Sequence, residues 1–272
     1  MTYLGADGRQ YLLVVAGVLG VCRIPTLAMA QSAFDGTWKI DLNKLKMPEK
    51  PSVLLLHNGM FQCTTCVPAI NVKADGTDQP VSGNPYFDMM AVKVVNDHTI
   101  QETEKKAGKV VSDSTTTVAD DGKTAAFEFT DSNTNNPEPV TGKGTMTRVA
   151  KGPAGSHAIS GSWRTSGYGN VSDNALTRTY KVEGDSLNMS ALTGESFTAR
   201  MDGSESVYSG DPGTTSVSLK KLGTHAIQET DKRDGKVISV AKMTVAPDGQ
   251  SMTITIDDKL HGTTMSFVAM KQ

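Results

Sequence analysis

The sequence predicts an all-β protein that consists of two tandem antiparallel barrels, or barrel-like sheets, related by internal duplication. Two observations lead to this prediction. Residues 98–122 recur as residues 225–249 at a constant offset of 127, and 15 of the 25 paired positions are identical. After residue 35 the chain is rich in Thr, Ser, Val, Gly and Asp and shows short alternating runs, which is typical of strands joined by tight turns. A repeat decides how the chain divides into domains, so the duplication determines the prediction of the fold.

Length and charge bound the possible classes of protein. The chain has 272 residues, enough for two repeats of common domain size, each able to bury a core of its own. Its formal charge is -2, and the lysines are interspersed with carboxylates, so we expect no nucleic-acid partner. The sequence contains no phosphate loop, dinucleotide fingerprint or pair of metal-binding histidines on a helix, so we expect no cofactor and no metal.

Residues 1–30 are predicted to be a secretory signal peptide. Arg9 precedes an apolar run from Tyr11 to Cys22, and Ala28-Met29-Ala30 has small residues at both positions that a signal peptidase reads. The apolar run is too short to span a bilayer, so no membrane span is expected after signal removal. The predicted location is therefore the periplasm or the medium, and an uncleaved anchor is the alternative.

The predicted boundary between the repeats lies at residues 152–155, where Gly, Pro and Ala give the composition of a short linker. The first repeat then covers residues 31–151 and the second covers residues 156–272. With its own hairpins and its own closing strand, each half is expected to fold separately.

Each repeat is predicted to begin with a strand that carries a tryptophan. Gly36-Thr37-Trp38 opens the first repeat and Gly161-Ser162-Trp163 opens the second, and these are the only two tryptophans in the sequence. The equivalent positions indicate that Trp38 and Trp163 are structural, each closing the base of its own core.

Turn signals place the later strands in order. Asn58-Gly59 separates two short apolar runs and suits the tight turn of a β-hairpin. Asp121-Gly122 marks another hairpin in the first repeat, and Asp248-Gly249 marks its counterpart in the second. In residues 252–256 apolar side chains alternate with threonine, which is the pattern of a half-buried strand.

Cys63 and Cys66 are the only cysteines outside the predicted signal peptide. Their spacing is compatible with a local disulfide, a redox-active pair or half of a zinc site. A redox motif needs a following helix, and a zinc site needs two further soft ligands, and the sequence offers neither. We therefore predict a structural disulfide across a turn.

The Gly-x-Trp element and the eight or nine short strands in each half resemble the lipocalin and fatty-acid-binding barrels, also called calycin-like barrels. More narrowly, the chain resembles exported lipocalin-like proteins of bacteria of uncharacterised function. Those proteins carry similar Asp-Gly-Thr, Gly-Asn/Asp-Pro and Glu-Thr-Asp-Lys-Lys/Arg-x-Gly-Lys-Val segments. The resemblance covers nearly all of the chain after the signal peptide.

This resemblance implies a role for a basic residue on the last strand. In lipocalins such a residue often covers the tryptophan of the first strand, which implies that Arg148 covers Trp38. Phe267 stands near the equivalent point of the second repeat, so the role is not carried over to Trp163. A barrel of about eight strands is either filled by side chains or holds one small ligand.

One face of the repeated segment is the best candidate for a ligand site. In each half an isoleucine lies between a histidine and a glutamate, which predicts polar groups inside an apolar cavity, once per repeat. The candidate ligand-binding residues are His98, Ile100, Glu102, His225, Ile227 and Glu229. The alternative is that this face ends at the barrel rim, where His and Glu are merely solvated.

These observations favour an exported protein that binds a small, partly apolar ligand in the cell envelope. The alternative is a structural or protein-interaction module without a ligand. A hydrolase or a thiol-redox enzyme is favoured less, because abundant Ser, Thr and Asp on turns do not form a catalytic constellation. We therefore predict a binding protein and assign no catalytic residue.

Overall fold

The computed structural model describes residues 32–133 and 135–272, so the predicted signal peptide lies outside the described residues. Strand β1 is Gly36–Lys46. It is followed by β2 Ser52–His57, β3 Met60–Cys63, β4 Ile70–Lys73, β5 Gln79–Pro80, β6 Met89–Asn96, β7 Thr99–Lys106, β8 Lys109–Val118, β9 Thr124–Asp131, β10 Val140–Lys151 and β11 Gly161–Val171. After the short helix α1 Asp173–Leu176 come β12 Thr177–Glu183, β13 Ser186–Ala191, β14 Ser196–Arg200, β15 Asp202–Val207, β16 Ser216–Lys221, β17 Ala226–Arg233, β18 Lys236–Val245, β19 Ser251–Asp258 and β20 Thr263–Lys271. Among the described residues, no helix is long and apolar enough to cross a membrane.

The strands form two antiparallel ten-stranded sheets, each curved into a nearly closed barrel. The first barrel has the order β4-β3-β2-β11-β10-β9-β8-β7-β6-β5, and the second has the order β14-β13-β12-β1-β20-β19-β18-β17-β16-β15. A bridge between Asp75 and Lys93 helps to close the first barrel, and a bridge between Ser196 and Ser209 helps to close the second. The predicted all-β, duplicated fold class is confirmed.

The two repeats exchange their first strands. Strand β1 pairs with β12 and β20 in the second barrel, whereas β11 pairs with β2 and β10 in the first. The first barrel is therefore the continuous segment β2 to β11, and the second is assembled from β1 and from β12 to β20. The sheets do not divide at the predicted boundary, because residues 152–155 lie within the short connection from β10 to β11, and consecutive antiparallel strands with a short connection readily pair.

Both tryptophans lie at the bases of the cores, but each is in the barrel of the other repeat. Trp38 packs in the second barrel, and its indole N–H donates to the carbonyl oxygen of Phe34 at 2.9 Å. Trp163 packs in the first barrel, and its indole N–H donates to Ile159 at 2.7 Å. Both tryptophans are almost completely buried, with 1% of the surface of each exposed.

The strand exchange also decides which cation covers which ring. The guanidinium carbon of Arg148 lies 4.0 Å from the centre of the Trp163 ring, and Lys271 Nζ lies 5.4 Å from the centre of the Trp38 ring. Contact with the face of an indole favours a cation. The implied contact of Arg148 with Trp38 is therefore wrong, because β1 has left the first barrel, and the position equivalent to Arg148 is Lys271 instead of Phe267.

Cys63 and Cys66 are joined by a disulfide at the end of β3. Cys63 belongs to the buried core of the first barrel, while Cys66 packs against it from a partly buried position. The bond fixes the tight connection that follows β3.

Two fragments of similar length test the strand exchange. Residues 51–172 contain every strand of the first barrel, so we expect this fragment to unfold cooperatively in a thermal melt followed by circular dichroism. Residues 31–151 lack β11 and Trp163. Removal of a buried tryptophan alone costs about 3 to 5 kcal/mol, a large part of the stability of a small domain, so we expect no cooperative melt. A cooperative melt of residues 31–151 together with an unfolded 51–172 would contradict the exchange.

Candidate functional site

A cavity of about 230 Å³ lies inside the second barrel. Its walls come from β1, β12, β13 and β17 to β20, with α1 and the connection between β15 and β16 contributing further residues. Trp38, Met189, Met243, Ile254 and Phe267 are among its apolar lining residues. These side chains belong to the buried core of the barrel, so the space is an interior one with a mainly apolar wall.

The register of the strands shows how the wall changes from apolar to polar. On β17 the inward-facing residues are Ile227, Glu229 and Asp231, because alternate residues of a strand share a face. Their partners on β18 are Met243, Ala241 and Ser239 in the same order. The barrel interior therefore runs from an apolar layer at Ile227 to a polar layer at Asp231.

Two carboxyl groups in this polar layer have pKa values above the ordinary ones. The pKa of Glu229 is raised to about 8, mainly by burial and then by the neighbouring charge of Asp231, while Arg178 opposes both effects. Burial also raises the pKa of Asp231 above its ordinary value. Glu229 is therefore mostly protonated at neutral pH, and it presents a neutral carboxyl group to the cavity.

Arg178 is the one Lys or Arg side chain among the residues that line the cavity. It lies opposite Trp38 on β12, and Tyr180 lies two residues further on the same face. Burial lowers the pKa of Arg178, but the tyrosines and the carboxylates of Glu195 and Glu229 together raise it, so the guanidinium stays charged. Within the part of the chain that the structure describes, this guanidinium forms no side-chain hydrogen bond and no ion pair within 4 Å.

The first barrel lacks both of these side chains. Ser52 pairs with Trp163 in the way that Arg178 pairs with Trp38, and Leu54 takes the position of Tyr180. The two barrels therefore share the same strand pairing but differ in the side chains of β2 and β12.

The first barrel also fills the space that is hollow in the second. Phe127 and Phe129 face its interior, and the ring centres lie 5.8 Å and 6.5 Å from that of Tyr168. Their partners on β10 are Gly144 and Gly142. A Cβ atom on Gly144 would lie 2.3 Å from the Phe127 ring, so only glycine leaves room for it. At the equivalent positions the second barrel has Ile254 paired with Phe267, and the cavity lies beside them.

The first barrel retains the acidic side chains of the repeat. The pKa of Glu102 is raised to about 7, mainly by burial and then by the charge of Glu104. The pKa of Glu104 is also raised to about 7, mainly by burial and then by the charge of Asp131. Hydrogen bonds from Ser114 and Ser112 partly offset these effects.

A cleft of about 450 Å³ lies between the two barrels. Glu104 and Asp131 line it from the first barrel, and Glu195 lines it from the second. Arg178 and Asp211 line both the cleft and the cavity, so the two spaces adjoin.

The six predicted ligand-binding residues lie in different surroundings. Ile100 and Ile227 are buried in the cores of the first and second barrels. His98 precedes β7, where its Nδ1 lies 3.1 Å from the carbonyl oxygen of Val118, and His225 is exposed before β17. Of the six, only Glu229 is among the residues that line the cavity, and Glu102 faces the filled barrel. Their role in ligand binding stays a prediction.

Sequence reasoning missed Arg178, Tyr180, Tyr208 and Asp231. The alternation that selected Glu229 includes Asp231 when it is continued by two residues, so this signal was present. No sequence signal pointed to Arg178, because the equivalent residue in the first repeat is a serine. Tyr208 lies in the connection between β15 and β16, where no strand pattern predicts which side chains turn inward.

Comparisons with protein families, with curated proteins and with solved structures find no match. The chemistry of the site is therefore argued from its own residues. Among the described residues, no group of three or more His, Cys, Asp or Glu is placed to hold a metal ion.

The raised pKa of Glu102 predicts a pH-dependent stability. The ordinary pKa is 4.5 and the folded value is about 7, so the folded protein holds more protons than the unfolded chain between these pH values. The free energy of unfolding should therefore fall as the pH rises from about 4.5 to 7 and then level off. Glu102→Gln should remove this part of the slope and stabilise the protein at pH 8 by at most about 3 kcal/mol.

Urea unfolding between pH 4.5 and 8 measures the effect. Glu128→Gln is the matched control, because Glu128 is exposed on the neighbouring β9 and forms an ion pair with Lys143 at 2.6 Å. The control should keep the wild-type slope. Parallel curves for wild type and Glu102→Gln would show that Glu102 is solvated.

Proposed function

We propose that the protein binds one small, partly apolar molecule inside the second barrel. The observation that carries this proposal is the interior cavity, whose apolar wall meets a few convergent polar groups. Ligand sites in proteins commonly have this composition. The cavity volume lies just below the usual range of about 300 to 1,000 Å³, which favours a small ligand. It equals the liquid volume of roughly eight water molecules.

The filled interior of the first barrel supports one site per chain instead of one per repeat. Phe127, Phe129 and Tyr168 occupy its interior at the level of Glu102, so this barrel serves mainly as a packed support. This observation also favours the second candidate function, in which the first barrel is a structural module. Both roles can coexist in one chain, because each barrel has its own core.

Export to the periplasm or the medium is part of the same proposal. The pattern of residues 1–30 supports export, and so does the Cys63–Cys66 disulfide, because disulfides persist in oxidising compartments. Resemblance to exported lipocalin-like proteins of bacteria favours the same setting, and the two barrel-like sheets are compatible with that fold.

A substitution that fills the cavity tests the proposal. Ala241 is buried on β18 and lines the cavity, so the ring of Ala241→Phe should occupy the ligand space. We expect at least a tenfold loss of affinity for the neutral fluorescent probe N-phenyl-1-naphthylamine, measured by titration. Thermal melts should show a folded protein, because the ring enters existing space.

Lys242→Phe is the matched control. It places the same ring on the next residue of β18, which faces outward and is exposed. This variant should bind the probe as the wild type does. Undiminished binding by Ala241→Phe would contradict the proposal, and native mass spectrometry of wild-type protein should show no more than one bound molecule per chain.

A further inference from the structure

Three polar side chains reach the cavity with unused hydrogen-bonding capacity. Among the described residues, the side chains of Arg178, Tyr180 and Tyr208 form no hydrogen bond to another protein group. Asp231 differs, because it accepts a hydrogen bond from Ser239 Oγ at 2.6 Å and is also hydrogen-bonded to the protonated carboxyl group of Glu229. The donors of Arg178 and of the two tyrosines are therefore available to a bound molecule.

The unpaired guanidinium is the strongest of these observations. A guanidinium presents five N–H donors in a planar fork that matches the two oxygens of a carboxylate. Arg178 is partly buried and lines both the cavity and the cleft, so its N–H donors face open space. No carboxylate of the described residues comes within ion-pair distance of Arg178, so an oxyanion that enters the cavity would complete its coordination.

We propose that the ligand of the second barrel is a small carboxylic acid with an apolar group. This inference rests on the proposed function and adds the class of ligand to it. The carboxylate binds to Arg178, with the hydroxyl groups of Tyr180 and Tyr208 as further donors. The apolar group of the ligand packs against Trp38 and the core.

Arg178 is the one cation among the residues that line the cavity, and its guanidinium repels a second cation. Glu229 is mostly neutral at pH 7, because its pKa is raised to about 8, so it opposes a bound carboxylate only weakly. Asp211 and Asp231 also line the cavity and oppose an acid, so an amine is the competing class of ligand. The first barrel has Ser52 in place of Arg178, so the same acid should not bind there.

Three probes that share one skeleton test the class of ligand. They are 4-phenylbutanol, 4-phenylbutylamine and 4-phenylbutyric acid, titrated by calorimetry at pH 7 into the protein without residues 1–30. The acid should bind about 10- to 100-fold more tightly than the alcohol, the range expected for a hydrogen-bonded charge pair.

One variant assigns the carboxylate of the probe to a residue. Arg178→Met should abolish the preference for the acid and leave the affinity for the alcohol within about twofold of wild type. Arg164→Met is the control, because Arg164 is exposed and its Nε donates to the Glu49 carbonyl oxygen at 2.7 Å. It should keep the preference for the acid.

A stability measurement separates ligand binding from a structural role of Arg178. The ligand-free Arg178→Met variant should melt cooperatively and still bind the alcohol. An unfolded variant would assign Arg178 a structural role and overturn the inference.

The outcomes of the titrations are distinct. If the alcohol binds as tightly as the acid, or if the amine binds most tightly, ligand binding stands and the carboxylate class is wrong. If the acid is still preferred by Arg178→Met, the assignment to Arg178 is wrong. If none of the three probes binds, the proposed function fails and this inference fails with it.

Discussion

The pairing of β1 with β12 and β20 is the constraint on which the rest of the structure depends. It carries Trp38 away from its own repeat and places it at the base of the second core. Because β11 takes the vacated place between β2 and β10, neither barrel is complete without a strand from the other repeat. The two barrels are therefore joined by exchanged strands as well as by the covalent chain.

The candidate site depends on this exchange. Trp38 lies directly opposite Arg178, so a residue of the first repeat and a residue of the second form the same wall of the cavity. The duplicated acidic face occurs in both barrels, but its surroundings differ. Aromatic rings pack at the level of Glu102, whereas Glu229 borders open space. One copy has become a filled support and the other has kept an interior volume, which is how duplicated barrels can divide structural and binding roles.

The repeat, the turns and the alternation predicted the strands well, because these signals are local. Asn58-Gly59 forms the turn between β2 and β3, and Asp121-Gly122 lies between β8 and β9, as the sequence indicates. The exchange of β1 and β11 was beyond local signals, because two nearly equivalent strands satisfy the same alternation in either barrel. The same ambiguity led to the wrong partner for Arg148, because its strand β10 would lie next to β1 without the exchange and lies next to β11 with it.

The site was predicted only in part for a related reason. Glu229 was found because duplication kept it in both repeats, and Arg178 was missed because duplication did not. Function in a duplicated protein lies where the copies diverge, and one sequence shows such divergence without showing which side chains face the interior.

An engineered disulfide tests the strand exchange most directly. Thr37 and Thr179 are partners across β1 and β12, with their hydroxyl oxygens 3.0 Å apart, so cysteines at both positions are close enough to bond. In an unexchanged arrangement Thr37 would instead face Val53, the residue that pairs with Ser162 in the first barrel. After mild oxidation, peptide mass mapping of Thr37→Cys with Thr179→Cys should show a bond between these two positions, and Thr37→Cys with Val53→Cys should show none. The reverse result would show that each repeat keeps its own first strand, and it would contradict the wall of the cavity described above.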